Sequence, residues 1–273
     1  MHEVNVKGIL SAKNGMNIYR GCLHGCIYCD SRSLCYQMNH KFEDIEVKAN
    51  AVGLLENTLR RKRNKCMIGT GAMSDPYMPI EEKLGNMRKC LEVIERYGFG
   101  VTMINEKSKC VVQMTLTTYD EDLCRIVEPN VETTYERFRA LEILRDNGIP
   151  TVVWLCPILP FINDTEENIR GILDYCVRAK VKGIINFDMG VTLRDGNREY
   201  FYKKLDEHFP GLKEKYIRMY GNSYQLSSPN SRQLNMIYKS ECIKNGIMCD
   251  VNECFEYLNK YEDKYGGEQI SLI

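Results

Sequence analysis

Six short apolar runs, rich in β-branched and aromatic residues, alternate with amphipathic stretches and constrain the fold more than any other feature. They are predicted to be buried strands, and they are Met16–Arg20, Cys66–Gly71, Gly100–Ile104, Cys110–Leu116, Thr151–Ile158 and Gly183–Gly190. Apolar residues at helical spacing fill most of the intervals, as in Glu81–Tyr97, Thr133–Asn147 and Thr165–Ala179. Strands that alternate with helices form a parallel sheet covered by helices. The prediction is an α/β fold, a partial (β/α)6 TIM-like barrel.

The pattern changes after Gly190. From Arg198 to Tyr261 it becomes helical, with interruptions at Pro210, Gly211 and Pro229. We therefore expect a barrel core over residues 1–197 and a C-terminal helical extension over residues 198–273 that packs on the barrel.

One junction does not suit this architecture. Only Asn105 to Lys109 separates the third and fourth predicted strands, whereas a parallel crossover needs about a dozen residues. Either these two strands pair in another way, or a crossover segment is missing from the sequence; the second interpretation is favoured.

The amino-acid composition limits the kinds of partner and the cellular compartment that we expect for the protein. Acidic and basic residues balance at 37 each, so a nucleic-acid partner is not favoured, because phosphate binding usually brings a basic excess. No apolar run reaches the length of a membrane span, and no secretory signal opens the sequence. Thirteen cysteines are then expected to be thiols or metal ligands in a reducing cytoplasm.

The stretch "RGCLHGCIYC" places three of these cysteines, Cys22, Cys26 and Cys29, on one short loop after the first predicted strand. A disulfide is disfavoured in a reducing compartment. Zinc usually takes four ligands, commonly from two CxxC-type pairs, and a CxxC redox motif leaves Cys22 without a role. An iron–sulfur cluster fits best, because cubane clusters are held by cysteine thiolates.

The spacing Cys-x-x-x-Cys-x-aromatic-Cys resembles the signature of the radical S-adenosylmethionine (SAM) superfamily. The wider strings "NIYRGCLHGCIYCDSR" and "GTGAMSDPYMPIE" are similar to the subgroup that includes spore photoproduct lyase. The resemblance implies a 4Fe–4S cluster on Cys22, Cys26 and Cys29, with SAM on the open iron. It further implies a 5′-deoxyadenosyl radical that abstracts hydrogen from an unknown substrate, and a low-potential electron donor of the flavodoxin or ferredoxin type.

The resemblance also suggests which residues contact SAM. These candidates share positions at the cysteine loop or at the carboxyl ends of predicted strands, and they are Tyr28, Gly69, Thr70, Gly71, Ser74, Asp75, Thr115, Thr117, Ile158 and Met189. Two further residues, Glu128 and Arg137, either contact the cofactor or pair with each other on the surface.

Cys156, at the end of the fifth predicted strand, is a candidate hydrogen donor to a substrate radical. Its plainer interpretation is a small buried apolar side chain. Two other functions remain open: a lyase acting on a DNA lesion, and a metal- or cluster-binding module without catalysis.

Overall fold

The computed structural model describes residues 1–71, 73–101 and 109–262. These residues divide into two compact units. Unit 1 contains the described residues of Met1–Leu23, His40–Val112 and Phe255–Ile273, and unit 2 contains His24–Asn39 and Gln113–Cys254. The predicted boundary between residues 197 and 198 stays a prediction.

Unit 1 holds two three-stranded sheets. Strands β1, β4 and β3 form one sheet in that spatial order, and β2, β5 and β6 form the other. The β3–β4 pair is antiparallel, and the other pairs are parallel. The strands are β1 (His2–Val4), β2 (Gly15–Met16), β3 (Tyr19–Arg20), β4 (Glu46–Lys48), β5 (Met67–Thr70) and β6 (Gly100–Val101).

The first predicted strand, Met16–Arg20, is therefore two strands in two sheets. Asn17 lies between the two strands and makes hydrogen bonds that are not part of the strand pairing in either sheet. Its carbonyl oxygen accepts from Lys48 Nζ at 2.7 Å, and its Oδ1 accepts from the Met73 backbone N–H at 2.9 Å. These bonds hold the chain where it passes from one sheet to the other.

Three described helices lie wholly within unit 1: α1 (Ala51–Arg61), α2 (Glu81–Leu84) and α3 (Asn86–Arg96). The predicted helix over Glu81–Tyr97 breaks at Gly85, which has φ of 59°, a conformation that favours glycine. Buried Glu81 then caps α3, because its Oε1 accepts from the Met87 backbone N–H at 2.7 Å. Helix α1 packs against α3.

Unit 2 contains the sheet β7–β8–β9. Its strands and the neighbouring helices are β7 (Val112–Thr115), α4 (Glu121–Val127), α5 (Thr134–Asp146), β8 (Thr151–Trp154), α6 (Glu166–Arg178) and β9 (Gly183–Ile185). Helices α5 and α6 begin close to the predicted positions. Thr133 and Thr165 cap them through hydroxyl oxygens that accept from backbone N–H groups three residues later.

The C-terminal part of unit 2 is less helical than predicted. Its elements are β10 (Gly190–Thr192), α7 (Asn197–His208), α8 (Leu212–Tyr220), β11 (Gln225–Ser227), α9 (Ser231–Lys244) and α10 (Val251–Asn259), the last of which continues into unit 1. Strands β10 and β11 pair antiparallel. Gly190 permits this pairing, since a Cβ there would lie 2.4 Å from the Leu226 carbonyl oxygen.

The outcome is a mixed α/β fold, as predicted, built of small sheets that are largely parallel. Over the described ranges these sheets do not close into a barrel. Residues 105–108 of the junction between the third and fourth predicted strands lie outside the described residues. Val101 and Cys110, on either side of it, form a parallel bridge. None of the described helices combines the length and apolarity needed to cross a membrane.

Candidate cluster loop and its surroundings

In unit 1 the cysteine loop begins at a glycine with no room for a side chain. Gly21 has φ of 90°, and a Cβ at this position would lie 2.4 Å from the Phe42 carbonyl oxygen. The same carbonyl accepts from the Cys22 backbone N–H at 3.1 Å. The close approach of the Phe42 carbonyl therefore fixes the backbone at Cys22, whose side chain is buried.

In unit 2 the rest of the loop is attached to the segment that follows α4. The Ile27 backbone N–H donates to the Val127 carbonyl at 3.0 Å, and the Asn130 N–H donates to the His24 carbonyl at 3.1 Å. Ile27 is buried against Val127 and Leu159. These contacts hold the backbone that carries Cys26 and Cys29.

All three thiols are free of disulfides. Burial raises the pKa of Cys29, while the backbone N–H and hydroxyl of Ser31 and the charge of Arg32 oppose the rise. Bound iron would displace the proton, since a coordinating thiol is deprotonated. Donors directed at sulfur also tune iron–sulfur clusters. Thiolates are the donors that iron–sulfur clusters take, so the chemistry of Cys22, Cys26 and Cys29 suits iron, and their assignment as ligands stays a prediction.

Tyr28 is anchored to a buried ion pair. Its hydroxyl donates to Glu128 Oε1, and Arg137 Nη2 donates to Glu128 Oε2. Glu128 is 1% exposed and Arg137 9%. The alternative of a surface pair between these two residues is therefore wrong. Although burial lowers the pKa of Arg137, the charge of Glu128 raises it above its usual value, so the guanidinium stays charged.

Thr115 and Thr117, at the end of β7, belong to the same network. Arg137 Nη1 donates to the Thr115 carbonyl at 2.7 Å, and the buried Thr117 hydroxyl donates to Glu128 Oε1 at 3.0 Å. Asn163 Nδ2 donates to the Thr117 carbonyl at 3.0 Å. Three residues predicted to contact SAM, Tyr28, Thr115 and Thr117, are thus brought together in unit 2.

A second group of predicted SAM contacts lies in unit 1. Gly69 and Thr70 end β5, and Gly71 follows with φ of 77°. Buried Ser74 donates its hydroxyl to the Tyr19 carbonyl at 2.9 Å. Asp75 Oδ1 accepts from the Tyr77 backbone N–H at 2.7 Å, which makes a tight turn. Their assignment to SAM stays a prediction.

Ile158 and Met189 are fully buried and belong to the same apolar cluster of unit 2. The Ile158 backbone N–H donates to the Gly190 carbonyl at 3.0 Å, which joins the segment after β8 to β10. In this structure the two side chains contribute to the core. Their predicted contact with adenine stays a prediction.

A half-exposed face of the β7–β8–β9 sheet was not predicted as part of the site. Val153 packs into the apolar core, so Trp154, the next residue of β8, faces the other way, because successive side chains of a strand alternate. Trp154 Nε1 donates to Gln113 Oε1 at 2.9 Å, and its ring centroid lies 5.9 Å from that of Phe187. Phe187 is 63% exposed.

Residues 16–176, more than half of the chain, match the Radical SAM superfamily. The uncharacterized protein Rv2578c of Mycobacterium tuberculosis is 27% identical over 258 residues, which cover 86% of this chain and 74% of that protein. The uncharacterized protein MJ0683 of Methanocaldococcus jannaschii is 28% identical over 177 residues, which cover 60% and 67%. The matched region contains the cysteine loop, and the chain belongs to the radical SAM superfamily.

Proposed function

We propose that the protein is a radical SAM enzyme of the subgroup resembling spore photoproduct lyase, with a partial TIM-like barrel at its core. The observation that carries the proposal is the loop with Cys22, Cys26 and Cys29, whose thiols are all free of disulfides. When bound and reduced, the 4Fe–4S cluster and SAM supply a 5′-deoxyadenosyl radical for hydrogen abstraction.

The chain's own contribution is to hold this loop and exclude water from it. Tyr28, Glu128 and Arg137 link the loop to α5, and burial followed by the charge of Glu128 raises the pKa of Tyr28. The phenol therefore keeps its proton and remains a hydrogen-bond donor to Glu128. A fixed loop keeps the cluster ligands in one geometry, which is the part of such chemistry that a protein supplies.

The proposal also covers the substrate and the electron donor. The substrate is unknown, and we assign it to the half-exposed face that carries Gln113, Trp154 and Phe187. The reductant is proposed to be a flavodoxin or ferredoxin in the cytoplasm, because such carriers reach the low potentials that this chemistry requires.

The test is release of 5′-deoxyadenosine. We expect the protein, reconstituted with iron and sulfide under anaerobic conditions, to convert SAM to 5′-deoxyadenosine and methionine when dithionite is added. Chromatography of the quenched mixture measures both products, and a mixture without dithionite is the control. A protein that carries four irons per chain and releases neither product would contradict the proposal.

We also propose that Cys156 returns a hydrogen atom to the substrate radical. In this step the S–H bond breaks, a C–H bond forms, and the resulting thiyl radical is restored by an electron from the reductant and a proton from water. Such a donor must hold its hydrogen at neutral pH. Burial raises the pKa of Cys156 to about 12, which keeps the thiol protonated.

This protonation state has a measurable consequence. Only the thiolate is alkylated, and a more basic thiolate is the better nucleophile. Compared with an ordinary cysteine, whose pKa is about 8.5, Cys156 should therefore react with iodoacetamide about 50-fold more slowly at pH 8. Mass spectrometry of time-resolved digests measures the rate, and the exposed Cys35 is the internal comparison. Equal rates for Cys156 and Cys35 would contradict the assignment.

A further inference from the structure

Three potential metal ligands meet in unit 1, in the sheet β1–β4–β3. One ligand atom each of His2, His40 and Glu46 lies within 4.8 Å of the other two. His2 and Glu46 are direct partners in the register of β1 and β4, so their side chains leave the sheet on the same face. His40 comes from the loop that precedes β4. None of these residues belongs to the cluster loop.

The His40 ring is oriented as a metal ligand would be. Its Nδ1 lies 3.0 Å from the Lys41 carbonyl oxygen, an acceptor, so Nδ1 carries the proton and Nε2 carries the lone pair. Nε2 is buried and has no hydrogen-bond partner. A buried nitrogen lone pair without a partner is costly, and a metal ion would satisfy it.

Glu46 offers a ligand atom at a suitable distance from His40. His40 Nε2 lies 3.7 Å from Glu46 Oε2, which is too far for a hydrogen bond. Two ligands that are each about 2.0–2.1 Å from one tetrahedral ion stand roughly 3.4 Å apart. A shift of a few tenths of an ångström would therefore let both atoms bind one ion.

His2 has the supporting partner that metal-bound histidines usually have. Its Nδ1 lies 3.0 Å from Asp44 Oδ2, and a carboxylate that accepts from one ring nitrogen fixes the tautomer and leaves Nε2 as the ligand.

Two cations lie near Glu46 and must be considered. Arg20 is its partner in the register of β3 and β4, and Lys48 follows two residues later on the same face of the strand. A carboxylate has two oxygens, so Glu46 can face a cation with one oxygen and a metal ion with the other.

We propose that His2, His40 and Glu46 bind a divalent transition-metal ion, preferentially Zn²⁺, with water as the fourth ligand. Zn²⁺ binds imidazole and carboxylate ligands in tetrahedral geometry. The proposed set contains no thiolate, which is the donor that iron–sulfur clusters require. The site does not depend on the proposed function. It would join the edge strand β1 to β4 and to the loop whose Phe42 carbonyl holds Cys22.

The experiment measures Zn²⁺ alone on the full chain, purified without a polyhistidine tag. Cys22→Ser, Cys26→Ser and Cys29→Ser are introduced together so that the cluster thiols cannot bind zinc. Competition with a chromophoric chelator should give one zinc ion per chain. His40→Ala and Glu46→Gln should each weaken binding about 100-fold, and Asp44→Asn about 10-fold, since partners of ligands have effects of that size. His208→Ala, which removes a histidine outside the proposed site, should leave the zinc affinity unchanged.

Two further measurements separate the outcomes. Co²⁺ should give weak visible bands without the intense near-ultraviolet absorption of a cobalt–thiolate bond. Zinc should raise the midpoint temperature of thermal unfolding of the chain with the three serine substitutions, but not that of the same chain with the isosteric Glu46→Gln substitution. The midpoint of the Glu46→Gln chain without zinc shows whether it folds. Zinc affinity that is unchanged by His40→Ala and Glu46→Gln, a thiolate band, or no bound zinc would each overturn the proposal.

Discussion

Replacement of Cys26 by serine should abolish the release of 5′-deoxyadenosine and leave the chain folded. A hydroxyl is a poor ligand for iron at neutral pH, and clusters of this kind are held by thiolates. With three protein ligands, loss of one leaves too few to hold the cluster. We expect the same result for Cys22→Ser and Cys29→Ser. Iron content per chain, visible absorbance and product release, measured anaerobically after reconstitution, check this expectation.

Cys35 provides the matched control. It lies close to the cluster loop in the sequence, is exposed, and accepts a bond at Sγ from Arg194 Nη1 at 3.3 Å. Cys35→Ser removes one thiol with the same chemical change and should retain the iron and the activity. A Cys35→Ser variant without iron, or a Cys26→Ser variant with its full complement, would contradict the assignment of the three ligands.

The features that were predictable from the sequence are local ones. The spacing of Cys22, Cys26 and Cys29 requires only eight consecutive residues, and helices α5 and α6 follow from the periodicity of their own apolar residues. Gly148, two residues after the end of α5, has φ of 69°, a conformation that favours glycine. In each case the determining interactions lie within a few positions along the chain.

The features that were not predictable depend on residues far apart in the sequence. Strand β11 forms because it pairs with β10, more than 30 positions earlier, and its own three residues give no strong signal. Likewise the break at Asn17 depends on Lys48 and Met73. Tertiary pairing overrides local preference in such places.

The candidate site divides in the same way. Its candidate ligands can be recognised from their residue type, whereas the residues that hold them in place can be recognised only from their burial. The sequence of Glu128 and Arg137 is consistent with an exposed pair or with a buried pair, and the two differ several-fold in energy. Only the structure shows that Tyr28, Thr117 and Arg137 all bond to one buried carboxylate.

The expected consequence is that Glu128→Gln lowers the free energy of unfolding by about 3–5 kcal/mol, because it leaves the Arg137 guanidinium buried without its counter-charge. Arg137→Met should cost a similar amount for the opposite reason. The double variant should recover part of the loss, since it leaves no unpaired charge. Urea denaturation of the four proteins under anaerobic conditions measures the coupling between the two residues.

A surface pair separates this effect from the loss of any ion pair. Arg125 bonds to Glu121 and Asp122 on the exposed side of α4, and Arg125→Met should cost less than about 1 kcal/mol, since water screens the pair. If Glu128→Gln cost no more than Arg125→Met, the buried pair would contribute little to stability. If Glu128→Gln cost the expected amount, the buried pair of Glu128 and Arg137, nine residues apart in the sequence, would be what holds Tyr28 in place. The loop that carries Cys26 and Cys29 would then depend on the same pair.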